Sequence, residues 1–211
     1  MTTTALPEAT GRRVRSPLPA LAGLGALAAF AGAVVVFNDL LRGAETPEEA
    51  ASAMEGAPLG LTAVLVGTYA LLAIAVSGML AARLARGGET AAIRLLPLLG
   101  AGHVLLLTAA FTAPAAAVAV GTMVFDGGVT PGAAEVALVL MNVAHPIAAW
   151  VGAGFLIAVA LATRAAGASR MLFGGSAVLA VGLLLPPVGW AVTYLMALWF
   201  AGVGIWLWRR G

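Results

Sequence analysis

Long apolar runs alternate along this chain with short charged segments, and ten of the 11 arginines occupy every second segment. Arg12, Arg13 and Arg15 precede the first run, and Arg83, Arg86 and Arg94 separate the second from the third. Arg164 and Arg170 separate the fourth from the fifth, and Arg209 and Arg210 close the chain. The other gaps hold Asp39, Glu45, Glu48, Glu49, Glu55, Asp126 and Glu135, with Arg42 as their only base. A hydrocarbon core about 30 Å thick takes about 20 apolar residues per helical crossing, and arginine collects on cytoplasmic loops. The pattern predicts an all-α, polytopic transmembrane bundle of six spans with both termini cytoplasmic. An odd number of spans would carry the closing arginine pair to the far side, and four would fuse runs that the charges keep apart.

Composition supports the same class. The 211 residues are 62% hydrophobic and only 9% charged, where soluble domains carry about 25% charged residues. The net charge of +2 comes from arginines confined to one side and reads as an orientation signal. The lipid bilayer is therefore the expected partner, and nucleic acid is not. Cysteine is absent, which excludes disulfides, thiolate metal sites and cysteine nucleophiles. Lysine is absent too, which excludes a Schiff base. Alanine, glycine and arginine stand in place of lysine as in high-GC bacterial coding, so a bacterial inner membrane is the expected location. A cleaved signal peptide is not expected: the run from Leu18 to Phe37 outlasts a signal core, and Asn38 to Arg42 offers no small-x-small site.

The spans read as residues 17–37, 59–84, 91–125, 131–163, 170–185 and 188–208. Residues 1–16 form a cytoplasmic tail, 17–208 the transmembrane domain with an acidic outer loop at 38–58, and 209–211 a cytoplasmic end. The third run is too long for one simple crossing, so Pro114 is expected to kink it or to start an interfacial extension. Thr130 and Pro131 read as N-cap and first residue of the fourth span, and Pro186-Pro187 as the break before the sixth. In the outer loop, Thr46-Pro47-Glu48-Glu49 reads as a capping box that opens a short helix to about Glu55. Its glutamates lack the alternating oxygen ligands of a calcium loop.

Trp190 at one end of the last span and Trp206 and Trp208 at the other form an aromatic belt, while Trp150 and Trp199 are expected to pack between helices. Gly23, Gly25 and Gly32 on the first span, Gly60, Gly67 and Gly78 on the second, and Gly152 and Gly154 on the fourth are expected to let helices approach closely.

The one polar constellation inside the spans is His103 on the third, with Asn142 and His145 on the fourth. Asn142, His145, Ala149 and Gly152 share a helix face by their spacing of three and four. Pro146 also deprives the Asn142 carbonyl of its helical donor. Three readings stay open: the polar groups hydrogen-bond across helices and hold the bundle together; His103 or His145 titrates in a site for a small molecule, ion or proton; or a haem b sits between the two histidines. By helical rise, His103 falls near the midplane and His145 ~8 Å further out, which weighs against the haem.

No HExxH pair, supported carboxylate or nucleophile with a nearby base is present. Ser77 and Ser176 are expected to bond back to their own helices, as is the Thr68-Tyr69 pair. The expectation is a protein without catalysis of its own, free of cofactor in its leading form and acting as an accessory, sensory or ligand-binding component. The alternative is a small transporter or haem carrier built on His103 and His145. A membrane-protein partner or a homo-oligomer is compatible with the glycine-lined faces.

The tail carries a resemblance. Gly174-Gly175, an apolar run, Pro186-Pro187, Ala197-Leu198-Trp199 and the closing Trp206-Leu207-Trp208-Arg209-Arg210 are similar to the last two helices of uncharacterised six-helix bacterial membrane proteins grouped as domains of unknown function. The resemblance implies a six-helix architecture, covers only this last stretch, and carries over no functional residue.

Overall fold

The computed structural model describes residues 16–38 and 44–210. Its elements run α1 (Leu18–Asn38), α2 (Pro47–Gly56), α3 (Leu59–Ala85), α4 (Ala91–Met123), α5 (Pro131–Ala165), α6 (Arg170–Leu184) and α7 (Pro186–Arg210), and no strand occurs among the described residues. Five of the helices, α1, α3, α4, α5 and α7, are long and apolar enough to cross a membrane. The 15 residues of α6 rise only about 22 Å, less than a hydrocarbon core. The arginines at 12, 13, 15 and 42, and Asp39, lie outside the described residues.

Local sequence explains where the helices start. Thr46 Oγ1 accepts from the Glu49 amide at 3.2 Å, and the Glu49 carboxylate accepts in return from the Thr46 and Glu45 amides. This is the capping box expected from the sequence. Thr130 caps α5 through the Ala133 amide at 3.2 Å, with Pro131 as the first helical residue. Thr90 and Ser169 cap α4 and α6 in the same way, two caps the sequence reading did not single out.

The helix ends sort by charge. Arg83, in the last turn of α3, donates to the Arg210 carbonyl at the end of α7 at 3.0 Å. A methyl group placed on Gly87 would sit 3.2 Å from Ala166, just past α5. At the start of α1, Pro19 lies against Gly204 of α7. These contacts gather Arg83, Arg86, Arg164, Arg170, Arg209 and Arg210 at one end of the bundle, here called the arginine end. The acids of α2 and the α4–α5 loop lie at the other, acidic end.

Alanine and glycine let the helices close up where lipid gives them no hydrophobic reason to associate. Gly23 is the clearest case: a Cβ there would come 2.7 Å from the Phe200 carbonyl oxygen of α7. The glycines of α3 behave differently from expectation, because Gly60, Gly67 and Gly78 meet nothing within 4 Å. They lie on a face that no described helix covers. Gly154 likewise meets nothing, whereas Gly152 is tightly packed.

The main core is a cluster from α1 and α3 to α7, with Phe30, Tyr69, Leu80, Phe155, Leu156 and Phe200 among its buried members. A second, smaller core lies at the acidic end. There Ala50, Ala51 and Met54 of α2 pack against Ala134 and Ala137 of α5, and against Ala115, Ala117 and Val118 of α4. It exists because α4 and α5, with 33 and 35 residues, are each about 50 Å long and overshoot a bilayer. α4 continues as unbroken helix through Pro114 to Met123. Glu55 ties this cap down by accepting from the Val129 amide at 2.7 Å. Gly128 stands beside it at φ +73, where any Cβ would collide with the Glu55 carboxylate.

Candidate functional site

The cavity forms where α6 stops short. α5 continues well past the level at which α6 turns at Leu185 into α7, and the space left over the turn is lined by α1, α4, α5, α6 and α7. Its volume is about 460 Å³, within the range of small-molecule sites. Pro186, Gly189 and Trp190 form the floor from the turn side, and Phe37 and Phe111 close it from α1 and α4.

From α5 come Asn142, His145, Ala149 and Trp150. The first three are the face anticipated from helical spacing. The His145 ring lies between Phe111 and Tyr194, with ring centroids 6.3 Å and 6.1 Å away. Its Nε2 is buried and has no hydrogen-bond partner among the described residues. Asn142 turns its amide back on its own helix, Nδ2 donating to the Leu138 carbonyl at 2.8 Å. Phe37, Phe111, His145, Tyr194 and Trp190 form a continuous run of ring contacts around the cavity.

His103 is placed elsewhere. It has no exposed surface, and its Nδ1 lies 2.8 Å from the Ala148 carbonyl oxygen of α5. A carbonyl can only accept, so Nδ1 carries the proton and Nε2 is the bare nitrogen of the neutral ring. The ring fits against Gly152, where a Cβ would stand 2.7 Å from Nδ1. His103 is therefore a strut between α4 and α5, and it does not line the cavity that Asn142 and His145 share. Its Nε2 and the Tyr69 hydroxyl are both buried without a partner among the described residues.

Other sequence expectations sort similarly. Ser77 bonds back to Ala73 at 2.9 Å and Thr68 to Val64 at 2.8 Å, as expected. Ser176 shows no such bond, and its hydroxyl oxygen accepts from Trp199 Nε1 on α7 at 3.2 Å. Trp199 is packed at 9% exposure, but Trp150 is 58% exposed and edges the cavity. Tyr194, Phe111 and Trp150 are the lining residues the sequence reading missed. The available signal was Tyr194, one of only two tyrosines in the chain, four residues after Trp190. Among the described residues no three His, Asp or Glu side chains converge in a way that could hold a metal ion.

Comparison with protein-family models, curated proteins and solved structures gives no match.

Proposed function

We propose that this is a six-span inner-membrane protein of bacterial type, arginine end in the cytoplasm, that binds a small ring-bearing apolar molecule without catalysis of its own. The observation that carries the reading is the His145 imidazole, unpartnered at Nε2 in the wall of a cavity to which Phe37, Phe111, Trp150, Trp190 and Tyr194 contribute rings. A polar group is costly within a membrane, and in this wall His145 Nε2 is buried without a partner among the described residues, beside the Tyr194 hydroxyl. Flat aromatic walls suit a flat guest, and an imidazole nitrogen suits a guest with a carbonyl or hydroxyl on its ring. The division of labour between the histidines favours this over a haem held by both, since His103 is engaged with Ala148 and faces α5 instead of the cavity. It favours it equally over a transport path that needs both side chains in one space.

Binding is tested by titrating the purified chain with a short-chain alkyl benzoquinone and following tryptophan emission. Trp150 and Trp190 border the cavity, so saturable quenching is expected, and purely linear collisional quenching would reject the site. The absence of cysteine makes the topology equally accessible. Gly127→Cys, at the acidic end, should react with a membrane-impermeant maleimide on intact spheroplasts, and Gly88→Cys only after they are opened. For α6, Arg210→Cys at the end of α7 should behave like Gly88→Cys, and labelling from outside would remove the sixth crossing.

A further inference from the structure

A second cavity, of about 270 Å³, lies at the arginine end between the last turns of α3 and α7 and the turn that follows α5. It is independent of the aromatic cavity and is lined by Arg83, Arg86, Gly87, Ala168 and Trp206 among others. The volume is several times the ~30 Å³ share of a single water. Two polar atoms here are buried without a partner among the described residues, Arg83 Nε and Trp206 Nε1. Both are donors, and neither can ever accept.

Helix C-termini normally present free carbonyls, which would satisfy such donors and repel an anion. Here turn amides have taken four of them: Gly87 donates to Leu84, Gly88 to Ala85, Ala166 to Ala162 and Ala168 to Thr163. The Arg210 carbonyl accepts from Arg83 Nη2. Arg83 Nε and Trp206 Nε1 are left as unpaired donors at this cavity, beside the positive charge of Arg86. Among the described residues the only carboxylate near this end is Glu89, and both its oxygens are bonded to Arg94.

We propose that this cavity holds a phosphate ester or phosphate ion, Arg83 Nε and Trp206 Nε1 donating to its oxygens and Arg86 adding a second positive charge. A guanidinium fork matches phosphate oxygens in number and geometry. Basic pockets between helix ends at a membrane surface are suited to anionic headgroups, while a free phosphate offers the same oxygens.

The test uses the purified full chain in a non-ionic detergent at constant ionic strength, with the melting temperature read against added dioleoyl phosphatidylglycerol, dioleoyl phosphatidylcholine or inorganic phosphate. Stabilisation by phosphatidylglycerol and not by phosphatidylcholine or phosphate supports the site and assigns it to a lipid headgroup. Stabilisation by inorganic phosphate supports it and assigns it to the free ion. In either case Arg83→Gln should weaken the apparent affinity about tenfold, as expected for a charged hydrogen bond. If Arg83→Gln does not fold, Trp206→Phe removes one donor without changing charge, and a loss of about threefold is expected. A response that survives the substitution used, or no response to phosphatidylglycerol or phosphate, overturns the proposal.

Discussion

The two histidines lie on neighbouring helices in similarly apolar sequence, and the fold treats them oppositely. His103 is fully buried, gives its proton to the Ala148 carbonyl and is held against the bare backbone of Gly152. His145 is half-buried in a cavity wall between Phe111 and Tyr194, and its Nε2, like that of His103, has no partner among the described residues. The difference follows from what stands opposite each ring. α4 and α5 touch along most of their length, so a ring between them finds a carbonyl. The His145 ring stands instead beside Phe111 of α4 and Tyr194 of α7, at a cavity left where α6 turns at Leu185. A polar side chain in such a helix thus stands in a packed seam or in a cavity wall according to where its neighbouring helices run, and not according to its own type.

The largest expected effect breaks the strut. Gly152→Leu would force a side chain into the His103 ring, and overpacking of this kind costs about 2–3 kcal/mol. For a chain of this size that lowers the melting temperature by roughly 4–10 °C. A melt of the purified variant within a degree of wild type would show that the contact between α4 and α5 is loose.

Sequence reading went furthest where the physics is local or set by the bilayer. Runs of crossing length placed the long helices to within a few residues, and the Thr46–Glu49 box and the Thr130-Pro131 start appear as anticipated. The shared face of Asn142, His145 and Ala149 was legible for the same reason, since it depends only on helical period. The separation of His103 from that face was not. It depends on which helix packs against which, and on a short α6 whose consequence is felt on α5. Ser176 shows the same limit: a back-bond within its own helix is the local expectation, but Trp199 from α7 takes the hydroxyl. The idle glycines of α3 show it in reverse, since small residues predict close approach only where a neighbour arrives.

The smallest effect belongs to the exposed pair at the arginine end. The Arg94 guanidinium, through two hydrogen bonds and its charge, holds the Glu89 carboxyl below its ordinary range. A lowered folded value means that any stabilisation is present above the ordinary carboxylate pKa and fades as pH falls through the lowered one. Both side chains are largely in water, where such pairs contribute little. Glu89→Gln should therefore leave the melting temperature at pH 7 unchanged within error, and a drop of several degrees would mean that the α3–α4 turn carries more of the fold than its exposure suggests.

The comparison between the histidines is tested most directly by measuring benzoquinone affinity and melting temperature together for wild type, His145→Leu and His103→Leu. The account predicts that His145→Leu binds about tenfold more weakly and melts within roughly 2 °C of wild type. His103→Leu should melt clearly lower while its folded fraction keeps wild-type affinity. Equal affinity in wild type and His145→Leu, or loss of binding in His103→Leu alone, would contradict it.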